Sequence, residues 1–436
     1  MMKCYFLIPA LVGTAVVAIT GISHASGNKI TEQSAKAQAM GNAFAAQADD
    51  PSALAYNPAG IAYLKGRQIQ IGYGVVLLPQ TEFNGVTNIS SPNTTSEMAN
   101  GDLVAVPTVY LTHEVTSIPL SFGLGVNSFF PLVKRWDEGG GLREVASISI
   151  KPVNFQPTLA YRFDDLNLAV AAAADITYAR FSSECFLYNG ALGGNLGMLG
   201  LDATAVGYGY TLGLLWKATP ALSFGASYRS KIDLKFDGDA NFMGLANSAS
   251  LPPPYNAVVP GSGTTVRSRL SADYTLPDNA ILAVAWKPVQ KVTLEFDAEH
   301  TGWSSYKEFK VDYQSSAPIY AAVLSQPVPK KWHDVWSYHF GGQYSVNDYV
   351  DLRSGYTYEE NPVPDSTLGS DLPDANRHYF SVGTGVHNAK AAVDFAYTYV
   401  LFDDRTISSS ANNPQIKNGT FKSDAHLLGI SLTCKF

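Results

Sequence analysis

The chain has 436 residues, a formal net charge of −7, and only 15% of its positions given to Asp, Glu, Lys and Arg. So little charge, and acidic on balance, gives no electrostatic basis for a nucleic-acid partner. The 24 Tyr, 21 Phe and 37 Gly, with no apolar run past the N-terminus near the ~18–20 residues of a membrane helix, exclude a helical membrane protein and point instead to an aromatic-girdled β-barrel.

The N-terminus sets the compartment. Lys3 precedes an apolar run from Tyr5 to Ile22, and Ser23-His24-Ala25 stands ahead of Ser26-Gly27. A basic start, an apolar core and a small-x-small site predict a secretory signal peptide over residues 1–25, cut after Ala25. Cys4 sits at the front of that run; Cys185 and Cys434 alone remain, so the exported chain is expected to fold without a disulfide framework.

Residues 26–66 lack strand alternation. Thr31-Glu32-Gln33-Ser34 followed by Ala35 to Ala48 reads as a short, weakly helical, Ala-rich segment that has no core of its own. A large barrel has a lumen to obstruct, so this segment is expected to be a plug inside it.

From residue 67 to 436 the pattern has period two. Leu222, Phe224, Ala226, Tyr228, Ile232, Leu234 and Phe236 alternate with Ser223, Ser227, Arg229, Lys231, Asp233 and Lys235. The same alternation recurs in Ser337–Val346 and Tyr349–Glu359, as strands with one oily and one wet face require. Short turns are expected at Val115-Thr116-Ser117, Phe163-Asp164-Asp165, Thr219-Pro220-Ala221, Pro288-Val289-Gln290, Asn347-Asp348 and from His387 to Lys390. Between them lie long polar loops at 79–102, 131–145, 183–203, 238–264, 306–332, 360–375 and 405–420. Short periplasmic turns alternating with long extracellular loops predict an all-β, transmembrane antiparallel barrel of about 14 strands. The last strand places Ile430, Leu432, Cys434 and Phe436 on one face. Its terminal aromatic resembles the signal read by outer-membrane assembly machinery, which is therefore an expected partner during biogenesis, with outer-membrane lipid thereafter.

Ordered fragments resemble the FadL family. They are Glu32-Gln33-Ser34, Met40-Gly41-Asn42-Ala43-Phe44, Ala48-Asp49-Asp50-Pro51-Ser52-Ala53 and Tyr56-Asn57-Pro58-Ala59-Gly60, then Ser227-Tyr228-Arg229-Ser230-Lys231-Ile232, Trp332 with Asp334 and Trp336, Arg353-Ser354-Gly355-Tyr356, and Leu372-Pro373-Asp374-Ala375-Asn376-Arg377. The resemblance implies an outer-membrane carrier of long-chain fatty acids or aromatic hydrocarbons, with fourteen strands and an N-terminal hatch whose motif is Asn57, Pro58, Ala59 and Gly60. It also implies a kinked third strand with a lateral exit; Gly123, Gly125 and Asn127 are the candidate kink, since glycine permits a bend, or equally leaves room for the hatch.

The cargo chemistry suggests the rest. A sixteen-carbon tail is worth on the order of 10 kcal/mol when taken from water, at about 0.8 kcal/mol per methylene, so the route must be apolar with a cation for the headgroup. By alternation Arg229, Lys231, Lys235, Arg353 and Arg377 face the lumen, and Arg229, Lys231, Arg353 and Arg377 are the candidate headgroup residues; the alternative is that they pair with Asp233, Asp351, Glu295, Asp297 or the hatch. Phe186, Leu187, Leu192, Leu196, Met198 and Leu199 form a candidate extracellular capture loop, or a loop that packs on its neighbour. No Gly-x-Ser-x-Gly, HExxH or P-loop pattern is present, so no enzyme, metal or cofactor is expected. The expected function is passive uptake of hydrophobic small molecules; the rivals are a structural or adhesive barrel and an outer-membrane lipase.

Overall fold

The computed structural model describes residues 27–77, 81–87, 94–99, 103–136, 147–189, 194–244, 260–314, 325–369, 372–408 and 416–436, with Pro253 and Asn256. The expected signal peptide lies outside the described residues. Lipid offers no hydrogen bonds, so a spanning sheet must pair every strand edge. The structure closes into a barrel of fourteen antiparallel strands. They are β1 (Arg67–Leu77), β2 (Leu103–Val115), β3 (Leu120–Asn127, resuming at Leu132–Arg135), β4 (Ser147–Phe163), β5 (Leu168–Asn189), β6 (Gly194–Thr219), β7 (Leu222–Arg229 and Ile232–Gly244), β8 (Thr265–Leu276 and Asn279–Val289), β9 (Val292–Thr301 and Val311–Tyr313), β10 (Val335–Asn347), β11 (Val350–Glu359), β12 (Arg377–His387), β13 (Ala391–Phe402) and β14 (Asp424–Lys435). The seam pairs β1 with β14 from Gln68↔Lys435 to Leu77↔His426, and Phe436 donates its N–H to the Arg67 carbonyl and accepts from the Arg67 N–H.

All six short connections fall where the turn residues place them. The long ones need correcting: strand enters the expected loops 131–145, 238–264 and 306–332 at Leu132–Arg135, up to Gly244 and at Val311–Tyr313, and others depart further. Residues 183–203 are not a loop: β5 and β6 continue as one long hairpin, with Cys185 opposite Leu199 and Phe186 opposite Met198, and β7 adds to it through Met243↔Met198. The alternation carries through, with Phe181 and Ser183 buried and Glu184 exposed, so the ladder has no reason to stop. Loops 79–102 and 405–420 are not irregular either. Glu82–Thr87 pairs with Thr94–Met98 and with Ile416–Lys422, which also takes Arg405–Ile407, making a small four-stranded sheet.

The barrel is wet inside and oily outside within the membrane. On β5 the buried face is Ala169, Ala171, Ala173, Asp175 and Thr177; the exposed face is Val170, Ala172, Ala174, Ile176 and Tyr178. Exposed Tyr178, Tyr208, Tyr210, Tyr228 and Trp336 form one girdle, and Tyr161, Phe163, Trp216, Trp286, Tyr344 and Phe436 the other. From Leu168 to Tyr178 the strand rises about 25 Å along the barrel at a tilt of ~40° and ~3.3 Å per residue, the height of an outer-membrane hydrocarbon band.

Above the outer girdle the polarity reverses. Ile232, Leu234 and Phe236 are buried, whereas Lys231, Asp233, Lys235 and Asp237 are exposed. On β8, Leu270, Tyr274 and Leu276 are buried while Arg269 and Asp273 are exposed. Breaks at Ser230–Lys231 and Pro277–Asp278 exchange the two faces, as an irregularity in a period-two strand must. Ser230 holds its break closed, exchanging bonds with the Tyr210 backbone. Lys231 and Lys235 therefore lie on the outer surface, correcting the alternation that places them in the lumen.

Removing Phe436 deletes both seam bonds to Arg67. The truncated protein is expected to assemble poorly, with a reduced heat-modifiable fraction on semi-native gels and lower outer-membrane levels. Wild-type levels of the folded form would show that the terminal residue contributes neither seam nor signal.

Candidate functional site

Residues 27–66 lie among the inward faces of the strands as α1 (Ala35–Ala39), α2 (Ala53–Tyr56) and a 3-10 turn (Pro58–Tyr63), and almost all of them are buried. The non-helical stretch between α1 and α2 leaves backbone donors without helix or ladder partners, and barrel carboxylates take them. Asp297 accepts from the N–H groups of Phe44 and Ala45, both at 3.0 Å. Glu295 accepts from Ala46 at 2.6 Å and Gln47 at 3.0 Å. Glu299 closes the row with Lys29 and with His339 Nε2 at 3.2 Å, while His339 Nδ1 meets the Gly41 carbonyl at 2.9 Å.

The residue types of the Asn57-Pro58-Ala59-Gly60 run each have a physical role here. Asn57 donates to the Ala45 and Leu214 carbonyls at 2.8 and 2.9 Å, and accepts from the Ala59 N–H. Pro58 begins the 3-10 turn, a position with no partner for an N–H. Gly60 lies against the Ala48 backbone, where a Cβ would collide. Gly41 has φ +63, and a Cβ there would lie 2.9 Å from the Tyr356 nitrogen. Gly123 faces Leu54 and Ile61 of the segment. It makes room for them, and the break in β3 comes later, at Ser128–Pro131 beyond Gly125 and Asn127.

The three inward-facing candidate cations differ in partners. Arg353 is held by Asp394 at 2.7 Å and Asp351 at 3.0 Å. Arg377 is fully buried against Asp374, with Glu359 at 3.6 Å. Arg229 reaches Asp175 only at 3.4 Å and the Ala55 carbonyl at 3.3 Å, long for charge-assisted bonds of about 2.7–2.9 Å. Its guanidinium lies 3.7 Å from the centre of the Phe129 ring.

Phe129 sits at the break that opens the wall. β2 and β3 pair from Val115↔Leu120 only as far as Val109↔Val126, so among the described residues Leu103–Thr108 have no partner on the β3 side. The N-terminal segment takes the vacated bonds: Ile30 N–H donates to the Phe129 carbonyl at 2.6 Å, Asn28 to Phe130 at 2.8 Å and Gln33 to Ser128 at 2.8 Å. Two cavities, about 30 and 20 Å³, flank this point and share Phe129, Phe130 and Arg229. Each is large enough for a water molecule and far too small for an open pore.

Above it the inward-facing side chains form one apolar cluster. It runs from Phe130, Trp303 and Trp332 through Tyr274, Ile232, Leu234, Phe236 and Phe181 to Trp136, Phe83 and Phe421 of the loop sheet. Of the candidate capture residues, Met198 and Leu199 are half-buried in β6, with Leu199 against this cluster, and Phe186 is half-buried in β5. Leu187 and Leu196 lie in the same strands; Leu192 is outside the described residues. Sequence alternation missed the aromatic members because it assigns Phe236 and Leu234 to the lipid face. The Ser230 pairing that reverses them has no signal beyond an ordinary serine.

Residues 16–436 match the family model described as outer membrane protein transport protein (OMPP1/FadL/TodX). A putative outer membrane protein of Neisseria meningitidis serogroup B is 25% identical, covering 98% of this chain and 97% of its own length. The long-chain fatty acid transport protein of Escherichia coli O6:H1 is 23% identical, over 88% of this chain and 89% of its own. Among solved structures, a FadL homologue of Pseudomonas aeruginosa superimposes with a TM-score of 0.82 at 19% identity, covering 94% of this chain and all of its own.

Asn57→Ala removes the side-chain donor to the Ala45 carbonyl, a buried bond, and the one to Leu214, and an unsatisfied buried carbonyl costs about 1–3 kcal/mol. The variant should show raised or flickering conductance in planar bilayers while its barrel remains heat-modifiable. A silent bilayer would mean that the segment stays seated without this anchor.

Proposed function

Because the chain belongs to the OMPP1/FadL/TodX family of outer membrane transport proteins, we propose that it passively takes up hydrophobic compounds, chiefly long-chain fatty acids. The observation that carries this reading is the buried apolar cluster of the upper barrel, which ends at Phe130 beside Arg229 and the unpaired edge of β2. A tail following that cluster stays out of water along the way, which preserves about 0.8 kcal/mol per methylene. The N-terminal segment acts as the hatch, and its Asn28–Gln33 stretch covers the lateral exit between β2 and β3. Displacing that stretch exposes the exit to the membrane and not to the periplasm, so cargo leaves into lipid. Capture belongs to the β5–β6 hairpin and the loop sheet.

Fatty acids are preferred over plain hydrocarbons on account of Arg229. It stands where the apolar path ends, and its long contacts leave donor capacity for a carboxylate. The name of the E. coli relative agrees with this preference.

Liposomes containing the protein should take up a labelled long-chain fatty acid faster than protein-free liposomes; no difference would favour a structural barrel. Arg229→Gln should weaken passage of the acid by about 1–3 kcal/mol, roughly five- to 150-fold, with little effect on toluene. Equal losses for both would mean that the change disturbs the hatch and carries no headgroup information.

A further inference from the structure

Lys134 differs in its contacts from five other buried or largely buried cations of the barrel and its N-terminal segment. Lys29, Lys36, Arg229, Arg353 and Arg377 each touch a carboxylate. The Lys134 side chain belongs to a residue 4% exposed, yet its ammonium meets only the Thr81 hydroxyl, at 2.8 Å, and the Trp136 ring, 5.1 Å from the centroid. Among the described residues no acid contacts it. Thr81 Oγ also accepts from Ser423, so a single hydroxyl oxygen serves two donors, and an ammonium has three N–H groups to satisfy. A buried cation without a counter-charge is costly, and burial pushes this one down to about 7.

Its location gives the cost a purpose. Lys134 is opposite Ile148, well past Val153, which is level with Tyr178 of the outer girdle; it is above the membrane. Around it Trp136, Phe83 and Phe421 make the outer end of the apolar cluster that continues to Phe130. Thr81 and Ser423 stand at the ends of the two loop-sheet hairpins, so the contact ties that sheet to β3. The arrangement is a closely packed apolar surround for one amine that no acid among the described residues neutralises, the complement of an amphiphile with an anionic head.

We propose that Lys134 binds the carboxylate of a fatty-acid-type substrate at the outer mouth, with Thr81 as a second donor and the Trp136–Phe83–Phe421 aromatics against the first methylenes. This rests on the uptake reading above and assigns its first step: the entering carboxylate supplies the missing counter-charge and loosens the bond between β3 and the loop sheet. Selection for acids over hydrocarbons then begins at entry, before Arg229 is reached.

The test uses the full-length protein in detergent, with oleate and methyl oleate as probes, in wild-type and Arg229→Gln backgrounds. Lys134→Met should bind oleate about tenfold more weakly and methyl oleate less than threefold more weakly, while Lys134→Arg keeps the oleate affinity. Free oleate should also protect Lys134 from acylation by an amine-reactive fatty acyl ester, mapped by mass spectrometry. Without ligand, Lys134→Met should melt higher than wild type, since it removes an uncompensated charge; a lower melting point would assign Lys134 to structure and overturn the proposal. So would unchanged oleate affinity, equal losses for both probes, or acylation indifferent to oleate, each leaving the uptake reading intact. Wild-type protein that binds neither probe would overturn both.

Discussion

A backbone amide facing hydrocarbon has no water to fall back on, and each unpaired one costs several kcal/mol. This constraint closes β1 onto β14 and makes an interrupted ladder conspicuous. Between β2 and β3 the ladder stops at Val109↔Val126, and the donors of Ile30, Asn28 and Gln33 occupy the carbonyls of Phe129, Phe130 and Ser128. The N-terminal segment is thus a replacement strand edge as well as a filler of the lumen. Its removal would expose the same carbonyls that it now satisfies.

The second constraint is the change of surroundings along each strand. Below the outer girdle the outside is lipid, so apolar residues point out and the lumen holds Asp175, Glu295, Asp297 and Arg353. Above it the outside is water, and the faces exchange at Ser230 and at Pro277–Asp278. On β7 and β8 that exchange turns Ile232, Leu234, Phe236, Leu270 and Tyr274 inward; on unbroken β5 and β6 the residue types change instead, with Ala179, Phe181, Leu201 and Ala203 on the face that holds Asp175 lower down.

Much of this was legible in the sequence. The strands, the six short turns and the non-alternating start at residues 26–66 follow from hydrophobic period and turn chemistry, and the Asn57–Gly60 run pointed to a packed element. Each failure has its own physical cause. Lys231 and Lys235 were assigned to the lumen because period two was extended through Ser230, although a single irregular residue exchanges every face beyond it. Residues 183–203 read as an oily loop because Leu and Gly are dense there, whereas backbone pairing to β7 decided the matter. Lys134 gave no sequence signal at all: a lysine in Leu-Val-Lys-Arg-Trp looks like an exposed strand residue, and only the fold of two distant loops over it shows its burial.

In the proposed uptake the N-terminal segment must leave the edge of β3 for cargo to pass. Cysteines at Ile30 and Phe129, introduced with Cys185→Ser and Cys434→Ser, join that edge by a disulfide at the position of the existing backbone bond. Uptake of labelled oleate into liposomes is then measured before and after reduction. The account predicts that the oxidised protein takes up oleate at least tenfold more slowly than the reduced one, with the reduced rate restored to that of the parent. Equal rates in the two states, with the disulfide shown to be formed, would contradict it and place the exit elsewhere in the barrel.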